Sequence, residues 1–120
     1  MGESKELNER TKNFALEIIR LVDVLPREIS NGVLGKQILR AGTSIGANYR
    51  AACRGRSAAE FIAKMHTVQE EADECQYWLD LLHGSKKIGE DVFMRLMQEA
   101  RELTAIFTAS EMTARKNLKR

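Results

Sequence analysis

Ser57-Ala-Ala-Glu60-Phe61-Ile-Ala-Lys-Met65-His-Thr-Val68 opens the most legible segment of the chain. A serine followed three residues later by glutamate has the spacing of a capping box. The hydroxyl accepts from an orphan amide at the helix start, and the carboxylate reaches back. Downstream, Phe61, Met65, Val68, Ala72, Cys75 and Leu79 recur every three or four residues, which is the apolar stripe of an amphipathic helix. The pattern predicts a helix over 57–83, closed by His83-Gly84-Ser85.

Working outward, the same period returns three times. Leu34, Ile38, Ala41, Ile45, Tyr49 and Ala52 predict a helix over 32–54 that Gly55 ends. Gly35, Gly42 and Gly46 each cost it about 1 kcal/mol against alanine, but the apolar period runs through them. Leu7, Phe14, Ile18, Leu21 and Leu25 predict a helix over 4–25, stopped by Pro26. Asn31-Gly32 reads as a turn before the second helix. Val92, Leu96, Leu103, Phe107 and Ala114 predict a fourth helix over 89–117.

The composition agrees with an all-α chain. Of its 120 residues 43% are hydrophobic and 30% charged, with one proline and no alternating Val/Ile/Thr run, so helix formers dominate a single globular domain over 1–120. Long helices joined by short loops predict an antiparallel up-down four-helix bundle. No apolar run is long enough for a membrane span, and the polar MGESKELNER start has no signal-like core, so a cytoplasmic location is expected. Cys53 and Cys75 are expected as thiols rather than a disulfide.

Function has to be sought in how the charge is distributed, because the net charge is only +2. Residues 35–59 hold Lys36, Arg40, Arg50, Arg54 and Arg56 and no acid. At about 100° per residue the first four share an arc of roughly 80° opposite the apolar face. Three readings stay open: a solvated face paired with acids elsewhere, a phosphate-backbone surface, or a charged protein contact. The tail Ala114-Arg-Lys-Asn-Leu-Lys-Arg120 adds four cations. No aromatics are interleaved as base-stacking platforms, so binding would follow charge and shape. Glu70, Glu71, Asp73 and Glu74 give the third helix the opposite sign; they read as a solvated face or as a complement to the basic stripe.

Small residues form a further stripe. Gly35, Gly42, Gly46 and Cys53 share one flank of the second helix, where another helix could approach closely, within the subunit or between subunits. Tyr77 and Trp78 beside the core, with Leu81 further out, are candidate oligomer-interface residues together with Gly42 and Gly46. Leu16 and Ile19, off the main face of the first helix, also suggest a second buried surface.

Catalytic and metal patterns do not assemble. A di-iron bundle needs two Glu-x-x-His pairs, whereas the sequence offers Asp80-x-x-His83 alone. His66, Glu70 and Asp73 share a helix face but read as ordinary surface groups. Cys53, near Arg50 and Arg54, has no evident base and reads as a packing residue. Gly32-x-x-Gly35-Lys36 lacks the spacing and Ser/Thr of a P-loop. No catalytic residue, metal or cofactor is expected.

The run Gln37-Ile-Leu-Arg40-Ala-Gly-Thr-Ser44-Ile45-Gly46-Ala47-Asn48-Tyr49 resembles the bacterial four helix bundle protein family, which includes S23-like proteins encoded by 23S rRNA intervening sequences. The likeness continues through Arg56-Ser57, Glu60-Phe61, Glu70–Glu74 and Tyr77-Trp78-Leu79. It implies a four-helix bundle in a ring, typically a homopentamer. The chain is also similar to the accessory variability proteins of diversity-generating retroelements, which bind nucleic acid and associate with a reverse transcriptase. That likeness implies RNA or DNA as a partner, met by Lys36, Arg40, Arg50, Arg54 and Arg56, and transfers no catalytic residue. The other expectation is a homo-oligomeric scaffold whose cations meet a neighbouring subunit's acids. Ser44 and Asn48 are expected to hydrogen-bond within the bundle or between subunits.

Overall fold

The computed structural model describes residues 2–119 and consists of four helices, with no strand among those residues. They are α1 (Gly2–Asp23), α2 (Ile29–Cys53), α3 (Ala58–Gly84) and α4 (Glu90–Leu118). The body measures 51 × 23 × 19 Å, so each helix runs much of its length. Met1 and Arg120, both inside the expected domain, lie outside the described residues.

The apolar stripes meet along the axis. Phe14 and Ile18 of α1, Ile38 and Ile45 of α2, Met65, Val68 and Leu79 of α3, and Leu103 and Phe107 of α4 are all essentially inaccessible. Tyr49 crosses to Phe107 with ring centroids 5.5 Å apart. Burying each such side chain contributes roughly 1.5–3 kcal/mol, which offsets the poor propensity of the glycine-bearing α2. α2 packs on α1 and α3, and α3 packs on α4. Gly46 sits against Thr11, Gly42 against Ile18 and Gly35 against Val22, so residue numbers rise along α2 as they fall along α1. Between α3 and α4, Gln76 bonds Thr104 and His83 meets Glu90, again in opposite senses.

Three boundaries differ from expectation for local reasons. α2 begins at Ile29, and Asn31-Gly32 is not a turn but part of its first turn. The buried Asn31 amide donates to the Pro26 carbonyl at 2.8 Å and to Glu28 Oε1 at 3.1 Å, and the Gly32 amide makes a helical bond to Glu28. Proline has already broken the chain five residues before Asn31, so no second break is needed. α1 correspondingly ends at Asp23. α3 continues through Gly84, and Lys86 takes the positive φ of 62° instead of a glycine. Lys87 bonds back to Leu82 and Lys86 to His83, the paired bonds of a Schellman turn.

The capping box is present in a shifted form. Ser57 Oγ accepts from the Glu60 amide at 3.1 Å, while Glu60 Oε2 accepts from the Arg56 amide, one residue before the cap.

Candidate nucleic-acid interface

The backbone of α2 places the expected cations on its outer face. Lys36, Arg50 and Arg54 are exposed, and among the described residues no carboxylate pairs with them. Arg40 differs. Its guanidinium bridges Glu71 of α3 at 3.1 Å and also Glu74. The stripe is free of acids along α2 but not in space, because packing α3 beside α2 brings two carboxylates to Arg40. Arg56 is exposed in the α2–α3 connection, its amide tied to Glu60.

Glu74 sits at the centre of this contact. Partial burial pushes its carboxyl upward, but hydrogen bonds from Trp78 Nε1, at 3.0 Å, and from Arg40 outweigh it and hold the group below its ordinary range. Arg40 is in turn raised, chiefly by its hydrogen bond to Glu74. This is a surface ion pair buttressed by an indole.

The far end of α2 is where unpaired positive charge gathers. Ser4, Cys53, Gly55, Phe61 and Ser110 line one shallow cavity, and Phe61 lines another with Ala109, Thr113 and Asn117. The start of α1, the end of α2, the start of α3 and the end of α4 therefore share one end of the bundle. Exposed Arg50, Arg54 and Arg56 stand there with Lys64 of α3 and Lys116 and Lys119 of α4. Two nearby acids are engaged: Glu60 accepts from the backbone amide of Arg56, and Glu111 pairs with the Arg115 guanidinium at 2.7 Å. Glu6 and Glu9 of α1 are exposed. Arg120 of the tail lies outside the described residues. Lys64 was missed in the sequence because an isolated lysine near a helix start carries no local signal; only the packing of α3 on α2 brings it to the same end of the bundle as Arg50.

The expected interface residues separate. Gly42 and Gly46 do not face a neighbour: a Cβ on Gly42 would meet Ile18 at 3.0 Å, and one on Gly46 would meet Thr11 Oγ1 at 3.1 Å. They are the close approach of α1 to α2 within one chain, which corrects their assignment to an oligomer contact. Tyr77 is 57% exposed, with its ring 5.1 Å from Trp78, which is half-buried like Leu81. Cys53, expected to pack, is exposed, with the Ser4 hydroxyl 3.9 Å from its sulfur. Ser44 and Asn48 bond back to the carbonyls of Arg40 and Ser44 on their own helix.

Cys75 is buried, and burial pushes its thiol up to about 12. His66 lies 3.7 Å from Glu70 and 3.4 Å from Glu111, but among the described residues no group of three His, Cys, Asp or Glu is placed to hold a metal ion. Among the described residues no helix is long and apolar enough to cross a membrane.

Four helices of this length around one core, with positive charge gathered at one end, define a small all-helical protein with segregated surface charge. A family model described as 23S rRNA-intervening sequence protein matches residues 3–109. The chain belongs to that family. It is also similar to a crystal structure of a protein of unknown function from the S23 ribosomal protein family of Bacteroides thetaiotaomicron, with TM-score 0.84 and 33% identity over 91% of this chain and 97% of that one. No curated protein matches the chain.

Proposed function

We propose that this protein is a non-enzymatic, homo-oligomeric nucleic-acid-binding accessory protein of the cytoplasm, built as an antiparallel up-down bundle. The reading is carried by one observation: Lys36, Arg50 and Arg54 project into solvent unpaired from a helix that has no acid between Glu28 and Glu60. Guanidinium groups suit phosphate oxygens, and a ring would multiply each cation by the number of subunits. Opposed residue numbering across the helix pairs supports the antiparallel order. The likeness to retroelement accessory proteins makes a reverse transcriptase the protein partner to test, and the family's typical ring makes a pentamer the assembly to test.

The experiment is a gel shift with RNA, DNA and hybrid duplexes across a salt series. Affinity should fall steeply with salt, by a log–log slope of about 0.9 for each phosphate neutralised. Replacing Arg50, Arg54 and Arg56 together by glutamate should weaken retention at least tenfold and flatten the slope while helicity is unchanged. Equal binding by that variant would remove the reading.

A second reading, a scaffold without nucleic-acid binding, is favoured by Arg40, whose charge is already met by Glu71 and Glu74 of its own chain. It predicts little retention at physiological salt.

A further inference from the structure

Leu21, Leu25, Ile88, Val92 and Leu96 enclose unfilled apolar space where the end of α1 meets the start of α4. α1 packs on α2 and α4 on α3, and among the described residues no comparable packing closes α1 on α4. The result is a cleft of about 400 Å³. Leu21 and Leu96 are its buried floor, and Leu25, Ile88 and Val92 are half-buried walls. Protein interiors keep few voids larger than a water molecule, and apolar ones that persist stay dry and take apolar guests. Small-molecule sites run to roughly 300–1,000 Å³, with mostly apolar walls and a few convergent polar groups. This cleft has that make-up.

Charge at the rim selects the guest. Arg20, Lys87 and Arg95 line the cleft against one carboxylate, Glu17. Arg95 meets Glu17 at 3.5 Å, and both also line the polar cavity beside Arg10, so this pair marks the inner end. Lys87, its side chain only 21% exposed, is held at 3.0 Å by Glu28 from outside the lining. Its aliphatic stem can cover apolar surface while the ammonium stays at the rim. Arg20 is exposed, and among the described residues no carboxylate pairs with it. Three cations against Glu17 and Glu28 leave a surplus of one positive charge beside an apolar chamber.

We propose that this cleft binds a single-chain alkyl carboxylate, its chain lying between α1 and α4 and its carboxylate at Arg20 and Lys87. One negative charge answers the surplus, and the chain fills the space that the two helices leave between them. The bound chain supplies the α1–α4 packing that the polypeptide omits, so the ligand stabilises the folded state over the unfolded one. The cleft belongs to the end of the bundle opposite Arg50, Arg54 and Arg56, and the proposal stands apart from the nucleic-acid reading.

The test is calorimetric titration of the full-length chain with octanoate, decanoate and dodecanoate, each below its micellar concentration. Affinity should rise about three- to fourfold for each added methylene until the chain outgrows the cleft. Dodecanol, with the same chain and no charge, should bind at least tenfold more weakly than dodecanoate, and dodecylammonium more weakly still. Dodecanoate at a hundred times its Kd should raise the melting temperature by roughly 10 °C. Val92→Phe and, from the facing wall, Leu25→Phe each fill the cleft. Both should abolish binding while keeping wild-type helicity, and either alone suffices if the other fails to fold. Arg20→Gln/Lys87→Gln should bind dodecanoate no better than dodecanol while its affinity for the alcohol matches that of wild type. Absence of dodecanoate binding, an affinity indifferent to chain length, or unchanged binding by a folded filled variant would overturn the site. A charge variant that still prefers dodecanoate tenfold would overturn the place assigned to the carboxylate.

Discussion

Along its α2 side, α1 lies against three glycines and packs apolar surface on apolar surface. Along its α4 side it is held across an open groove by charged side chains. In the first contact Gly35, Gly42 and Gly46 remove the side chains that would hold the helices apart, and Ile18, Thr11 and Val22 fill the space. In the second, Arg10 forks onto Glu99, with Glu102 at 3.1 Å, and Arg95 reaches Glu17 at 3.5 Å. Two cavities lie along this seam: one of about 400 Å³ edged by Leu21, Val24, Ile88 and Val92, and one of about 350 Å³ edged by Asn13 and Gln98. The difference teaches where stability resides. Close packing is short-ranged and intolerant of added volume, whereas partly exposed ion pairs tolerate loss and respond to salt.

The largest expected effect breaks the close-packed side. Gly42→Leu forces a branched side chain into space where even a Cβ meets Ile18, and should destabilise the fold by about 3 kcal/mol in urea unfolding. A loss below about 0.5 kcal/mol would show that α1 can slide without cost. Thiol labelling sharpens the result. Cys53 is exposed and should react readily, whereas buried Cys75, raised to about 12, should react only on opening of the core. If α1 detaches by itself in Gly42→Leu, Cys75 stays protected; equal reaction of both cysteines would mean that the four helices open together.

Next comes the α3–α4 turn beside the seam. Lys86 bears a left-handed backbone at φ 62°, which costs a residue with a Cβ about 1–2 kcal/mol. Lys86→Gly removes that strain but loosens the unfolded chain, so a net gain of about 0.5–1 kcal/mol in thermal or urea unfolding is expected. A loss would show that the lysine side chain contributes to the turn.

Arg10→Ala probes the charged side and should cost about 1 kcal/mol or less. The gap from wild type should narrow in 1 M salt, unlike that of Gly42→Leu. A salt-independent difference would assign Arg10 to packing by its aliphatic stem.

The smallest effect concerns pH. Glu74 titrates below its ordinary range when folded. Its stabilising contribution is present above the unfolded carboxylate value of about 4.3 and is lost as pH falls through the lower folded value. Arg40→Ala should therefore be less stable than wild type at pH 7 by under about 1 kcal/mol, with the difference shrinking toward pH 3. Trp78 fluorescence should follow the same acid transition. A gap that widens in acid would contradict the assignment.

The helical stripes were legible because they are local: Phe61, Met65 and Val68, or Ile38 and Ile45, need only a period to be read. The Ser57 cap was legible for the same reason. Asn31-Gly32 was misleading because the side chain that looks like a turn former instead bonds the carbonyl of Pro26. The basic stripe was visible as a set of residues, but the pairing of Arg40 was not, since Glu71 and Glu74 lie more than thirty positions away. Gly42 and Gly46 announced a close approach without naming the helix that approaches.

By itself the sequence determined four helices, their apolar faces and the positive run along the second of them, because periodicity and capping act within a few residues of the chain. Only the tertiary structure decided which cations stay unpaired and which glycines face inward. Those outcomes depend on distances between helices, set by how side chains from remote positions fill a shared core.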